Sequence, residues 1–255
     1  MEVITGFFTT IIYQPLFNFL IEIYNIVPDL GISIVIITVI IRVLLLPVSK
    51  KSIESQKKMQ ELQPEIKKIQ EKYKKDKQKQ GQAIMEFYKE KKVNPAAGCL
   101  PLIIQLIILI ALYRVFLGVM DFNGSSQLLY SFVENPGHLN EMAFFGLINI
   151  MEKSIPLAVI ASGFQFWQAK MMMKKQAKDK PKQDTKKKEK NEPNFSEIMQ
   201  QQMLYMGPFL TFIIGISFPA GLPLYWLITT MFMIGQQYYI IKKDEKKEAE
   251  AKPAS

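Results

Sequence analysis

Apolar residues along this chain come in long, nearly unbroken runs separated by lysine-dense segments, not in the short alternating stretches of a soluble domain. A helix needs about 20 apolar residues to cross a bilayer. Five runs have that length: 30–48, 98–118, 154–173, 199–218 and 222–241. The last two nearly touch, and Pro219-Ala220-Gly221-Leu222-Pro223 predicts a tight turn over 219–223 between them. Residues 1–29 follow another pattern. Phe7, Phe8, Ile11, Ile12, Leu16, Phe17, Leu20, Ile23 and Tyr24 recur on one helical face, with Gln14, Asn18, Glu22 and Asn25 on another. Those are the two faces of an amphipathic helix lying in the membrane interface. A sixth span is the alternative, and the four polar residues weigh against it. Glu2 and the lack of a positive segment before Phe7 do not read as a conventional signal peptide. The expected fold class is an all-α polytopic membrane protein with five transmembrane helices, an N-terminal interfacial helix and a cytoplasmic helical hairpin.

The hairpin is predicted over 49–97. Met59, Leu62, Ile66, Ile69 and Tyr73 step by three and four residues, a heptad seam. Ala83, Ile84, Phe87 and Tyr88 form a second stripe after Gly81, and the polar Lys74–Lys79 segment between the stripes reads as a turn. Pro64 must kink the first helix or begin a new one. Segment 174–198 is rich in Lys, Gln, Asp, Glu and Pro with no apolar period, and reads as a flexible basic loop; the tail 242–255 reads likewise.

Charge then orients the spans. The 255 residues hold 32 Lys and Arg against 23 Asp and Glu, a formal net charge of +9. Residues 50–92 contain 14 Lys, 174–193 contain nine and 242–255 contain five. Positive residues mark the cytoplasmic side. Five spans put all three basic blocks there, with the N-terminus, the loop 119–153 and the 219–223 turn outside. The outer loop carries Asp121, Glu134, Glu141 and Glu152 against Lys153 alone. The tail and basic loop suit phosphates, of lipid head groups or of ribosomal RNA, without choosing between them.

Candidate chemistry is confined to polar groups inside the spans. Arg42 lies five residues before Pro47, roughly 7–8 Å from the end of the first span. A cation at that depth costs about 2.5–3.5 kcal/mol on insertion scales. Either Arg42 snorkels to the interface, or it faces a wet cavity. Thr38 one turn away, Gln105, Gln165, Gln168, Gln236 and Gln237 favour the cavity, where the charge would attract a transient anion. Arg114, near the outer end of its span, is expected to snorkel. One Cys (Cys99) and one His (His138) exclude a disulfide framework and multi-Cys or His-pair metal sites. No Gly-rich phosphate loop, HExxH, paired intramembrane aspartates or Gly-x-Ser-x-Gly is present. Neither an enzyme nor a cofactor or metal is expected.

The residues resemble the YidC family of membrane protein insertases, with its mitochondrial and chloroplast relatives. The resemblance runs through Tyr13-Gln14-Pro15-Leu16-Phe17-Asn18, Thr38 to Pro47, Met59-Gln60-Glu61-Leu62-Gln63-Pro64-Glu65 and Asn94-Pro95. It continues in Gly98-Cys99-Leu100-Pro101, Gln105, Ala111-Leu112-Tyr113, Phe218-Pro219-Ala220-Gly221-Leu222, Leu224-Tyr225-Trp226 and Gln236-Gln237-Tyr238. Span two lacks the proline often found after Gln105, and Thr230 stands where many members have Asn. The resemblance implies a helical bundle with a hydrophilic groove open to cytoplasm and lipid and closed outside. Arg42 would be its arginine, Thr38 its neighbour, Gln105 a groove-side amide, and Tyr225 and Trp226 the lining of the fifth span; Gln165 joins the groove as a polar residue inside span three. The implied function is insertion and chaperoning of client transmembrane segments in the bacterial plasma membrane. The partners would be client membrane proteins and the lipid bilayer, with ribosome, signal-recognition receptor and Sec translocon as further candidates, and no small-molecule substrate. Two other functions fit the same topology. A small-solute transporter is disfavoured by the missing internal repeat and charge relay. A ribosome anchor would need the tail and hairpin but not Arg42.

Overall fold

A computed structural model describes residues 6–94, 100–144, 146–178 and 195–251. Helix dominates these residues. The longer helices are α1 (Gln14–Ile26), α2 (Leu30–Leu44), α3 (Leu46–Glu61), α4 (Gln63–Lys72), α5 (Lys77–Glu90), α6 (Leu100–Met120), α7 (Ile155–Lys178), α8 (Phe195–Ser217) and α9 (Gly221–Ala251). Two short antiparallel strands, β1 (Met142–Ala143) and β2 (Ile148–Asn149), pair Met142 with Asn149 in the loop after α6. Prolines punctuate the starts. Pro15, Pro47, Pro64, Pro101, Pro156 and Pro223 all sit in the first turn of a helix, where a missing N–H costs nothing. Carboxylates cap others: Asp29 Oδ1 accepts from Ile32 N at 2.9 Å before α2, and Asp76 Oδ1 from Lys79 N at 3.0 Å before α5.

The chain divides into two compact units, one formed by Met1–Val43, Ala111–Met172 and Glu189–Ser255, the other by Leu44–Ile110 and Met173–Lys188. In the first, Phe17, Leu20 and Ile21 of α1, Leu30, Ile34 and Ile37 of α2, Val115 of α6, Ala158 and Ala161 of α7 and Tyr225 of α9 are buried. The polar face of α1 serves this packing. Gln14 Nε2 and Asn18 Nδ2 both donate to Leu128 O at 3.0 Å, Asn18 Oδ1 accepts from Tyr130 N at 2.6 Å, and Asn25 Nδ2 donates to Glu134 O at 2.8 Å. Three of the four residues that defined an interfacial face therefore hold the loop after α6. That loop also grips the α8–α9 turn, with Ala220 N donating to Glu152 O (2.7 Å) and Gly221 N to Ile150 O (3.1 Å). At the start of α2, a Cβ on Gly31 would lie 2.5 Å from Ala143 Cβ, so only glycine admits β1 here.

In the second unit α4 and α5 lie alongside each other. Gln80 Nε2 donates to Gln70 O at 2.7 Å, and Lys91 Nζ pairs with Glu65 Oε2 at 3.4 Å. Ile66 is buried, and Ala83, Ile84, Phe87 and Tyr88 are half-buried.

Several boundaries differ from expectation. The 30–48 run is interrupted at Leu45 because Pro47 restrains the residues before it. The heptad seam breaks at Leu62, and Pro64 opens α4. Gly81 lies inside α5, which begins earlier because Asp76 caps it. The turn between the last two spans covers 218–220, and α9 continues to Ala251, past the 241 boundary. Lys, Glu and Ala between 242 and 251 are strong helix formers, and no proline intervenes before Pro253. Of the 174–198 loop, residues 179–194 lie outside the described residues; the flanks are helical.

By length and composition, two described helical stretches can cross a membrane, Gly6–Ile26 and Ile103–Met120, with a third if Leu30–Leu44 and Leu46–Ser55 count as one. Gly6–Ile26 is the stretch expected to lie in the interface. Leu106, Ile107, Ile110 and Leu117 on α6, Val159, Ile160 and Trp167 on α7, and Phe209, Leu210 and Ile213 on α8 are exposed. So many outward apolar side chains on successive helices suit a lipid surround, not water.

Candidate functional site

The site is built on α2 and α9 within the first unit. The α2 helix has no polar side chain after Ser33 except Thr38 and Arg42, so its last two turns bring one cation into otherwise apolar surroundings. Arg42 is 9% exposed, so its side chain is packed against protein. Its Nε and Nη2 both donate to Thr229 Oγ1 at 3.3 Å, and Nη2 also reaches Tyr225 OH at 3.5 Å. Tyr225 and Thr229 are one turn apart on α9 and both are buried. Both hydroxyls are neutral and add no opposing charge beside the guanidinium.

The other expected residues have contacts of their own. Thr38 is fully buried and its hydroxyl donates to Ile34 O at 2.6 Å, a bond within its own helix. Gln165 on α7 accepts from Thr211 Oγ1 on α8, an interhelical bond of the kind that joins helices in an apolar medium. Trp226 is half-buried, and its carbonyl accepts from Thr230 Oγ1 at 2.8 Å. Gln168 is buried. Gln237, two turns past Thr229, buries its Oε1 without a hydrogen-bond partner among the described residues. Gln105 belongs to the other unit and is half-buried. Arg114 is exposed, its Nη1 donates to Thr9 Oγ1 at 3.4 Å, and its guanidinium lies 5.6 Å from the Phe8 ring centre. Thr229 and Thr211 were not singled out from sequence. Thr229 follows Tyr225 by four residues, a spacing that puts both on one face of a helix. No group of three or more His, Cys, Asp or Glu able to hold a metal occurs among the described residues.

Comparison with known proteins assigns the class. The model of the 60Kd inner membrane protein family matches residues 22–248. The chain is 32% identical over 235 residues to the membrane protein insertase YidC of Rickettsia bellii (strain OSU 85-389), covering 92% of this chain and 39% of that protein. It is 29% identical over 242 residues to the YidC of Ectopseudomonas mendocina (strain ymp), covering 95% of this chain and 35% of that one. A crystal structure of an active YidC insertase with its first transmembrane domain resolved superposes with a TM-score of 0.53 at 25% identity, over 93% of this chain and 46% of that chain. The chain thus belongs to the 60Kd inner membrane protein family, that of the YidC insertases. It spans about two-fifths of the length of the curated relatives it matches.

Proposed function

We propose that the protein is a membrane insertase and chaperone, which lowers the barrier for a client segment to cross or enter the bacterial plasma membrane through a hydrophilic groove containing the Arg42 charge. The observation that carries this reading is a buried guanidinium oriented by neutral hydroxyls from a second helix. The magnitudes support it. Moving one acidic side chain to the centre of a bilayer costs about 2.5–3.5 kcal/mol on insertion scales. A cation about 4 Å away at an effective dielectric near 20 returns about 4 kcal/mol. The attraction need last only while the polar segment passes; the client's apolar helix then gains burial in lipid. Arg42 acts on the client, Tyr225 and Thr38 shape its surroundings, and Trp226 and Gln165 line the path. The role of Gln105 rests on the resemblance alone.

In this reading five spans place the α4–α5 hairpin and the tail in the cytoplasm, where client-delivery factors, the ribosome, the signal-recognition receptor and the Sec translocon are candidate partners. With Cys99 replaced, Glu71→Cys should be labelled only from the cytoplasmic side, and Gly6→Cys and His138→Cys only from outside. Labelling of Gly6→Cys from inside would make Gly6–Ile26 a sixth span.

The deciding experiment reconstitutes the chain in liposomes and follows protease protection of a single-span client. Protection should exceed that of protein-free liposomes, survive Arg42→Lys and fall in Arg42→Ala and Arg42→Glu, most for clients with acidic outer segments. Equal protection with and without the protein refutes insertion. Insertion that is indifferent to Arg42→Ala refutes the groove mechanism.

A further inference from the structure

We infer that Thr229 is the positioning residue for Arg42, setting the direction in which the guanidinium presents its charge to a client. The inference rests on the insertase reading above and adds to it a residue that acts through the arginine and not on the client. Arginine ends in a flexible stem, and a cation free to swing among several acceptors spreads its charge over several directions. Here Nε and Nη2, adjacent donors on one edge of the fork, converge on a single oxygen, Thr229 Oγ1, at 3.3 Å each. Two donors on one acceptor keep that edge of the guanidinium turned toward the oxygen more firmly than a single bond does. The acceptor sits on a residue only 2% exposed, one turn from the fully buried Tyr225, so its own position is set by packing.

The chemistry of a threonine matters at this position. A carboxylate there would orient the fork equally well but cancel the charge that a client must feel. A hydroxyl accepts the same bonds and adds no charge of its own. Thr38, the threonine nearest Arg42 in sequence, gives its hydroxyl proton to Ile34 O at 2.6 Å, a bond within its own helix. Tyr225 OH, at 3.5 Å from Nη2 alone, is the weaker restraint. The pairing is also specific to arginine: a lysine at 42 has no fork to fix, so the benefit of Thr229 should vanish with it.

The test compares Thr229→Val, which keeps the shape and removes the hydroxyl, with Thr229→Ser, which restores it. Arg42 and Arg114 are the only arginines, so arginine-labelled protein in nanodiscs gives two Nε–H signals, assigned with Arg114→Lys. Exchange of the Arg42 Nε–H with water should accelerate about tenfold in Thr229→Val and return to near the parent rate in Thr229→Ser. In liposomes, Thr229→Val should lower the insertion ratio of an acidic-segment client to its Asn-substituted form by roughly fivefold. In an Arg42→Lys background the same change should leave that ratio unaltered. Unchanged Nε–H exchange and an unchanged ratio in Thr229→Val, with the parent still inserting, overturn the positioning role and leave the insertase reading standing. Equal loss for both clients, unrescued by serine, makes Thr229 a packing residue and also overturns it. If the parent inserts neither client, the insertase reading fails, and the Nε–H exchange alone decides whether Thr229 holds the arginine.

Discussion

Asn18→Ala measures how firmly α1 holds the loop that follows α6. Asn18 is 2% exposed and uses its whole amide. Its Nδ2 donates to Gln14 O (2.8 Å) and Leu128 O (3.0 Å), and its Oδ1 accepts from Tyr130 N (2.6 Å). After truncation Leu128 O keeps the Gln14 Nε2 donor, but the Tyr130 amide loses its acceptor. An unsatisfied buried donor costs about 1–3 kcal/mol and the lost second bond about 1 kcal/mol, so the loop contact should weaken by about 2–4 kcal/mol. That corresponds to roughly 30- to 700-fold faster local opening at 1.4 kcal/mol per factor of ten. Asn25 provides the control. Its bond to Glu134 O, at 2.8 Å, is of the same kind but exposed. Water replaces the lost donor there, so Asn25→Ala should cost no more than about 0.5 kcal/mol. Hydrogen exchange across residues 126–134 in nanodiscs reads both variants. Were Asn18 instead a head-group contact on an interfacial helix, both substitutions would be nearly silent. An Asn18→Ala exchange rate within about threefold of that for Asn25→Ala would refute the clamp.

Gly31→Ala should destabilise the first unit by about 1–3 kcal/mol, because the new Cβ would meet Ala143 Cβ at 2.5 Å and neither methyl has a rotamer to retreat into. Detergent-induced unfolding followed by tryptophan fluorescence would show the shift, and a neutral result would mean that α2 and β1 do not pack this closely. Thr211→Val should loosen α7 from α8 by about 0.6–1.7 kcal/mol through loss of the bond to Gln165, with Thr211→Ser close to the parent in the same assay. Burial pushes the Tyr88 phenol above its ordinary value. The folded α4–α5 pair then holds that proton longer than the unfolded chain, so the stability it adds is present below the ordinary phenol range and is lost as pH rises toward the folded value. Tyr88→Phe should flatten the alkaline fall in stability of the α4–α5 pair, and an identical fall in both proteins would count against burial of the ring.

Run length, proline placement and lysine segregation together determine that this chain is helical, that it is a membrane protein and where charge is tolerated, because each acts through neighbours in sequence. An apolar run either reaches bilayer length or does not, and a proline ends a hydrogen-bond ladder wherever it falls. The family too is written in short motifs. Local pattern is weaker where a single residue sets a boundary. Asp76 starts α5 four residues before Gly81, and the absence of a breaker before Pro253 carries α9 through a segment whose charge reads as disorder. The meaning of a polar residue in an apolar setting is not local at all. Asn18 reads as an interfacial polar group and is instead the anchor of a loop 110 and 112 residues away. Arg42 reads as a lone cation, with Thr38 its nearest hydroxyl. Its observed hydroxyl contacts, Tyr225 and Thr229, lie 183 and 187 residues further on. Hydrogen bonds at such separations are decided by how the helices pack, since a buried donor must find an acceptor from whatever element lies against it.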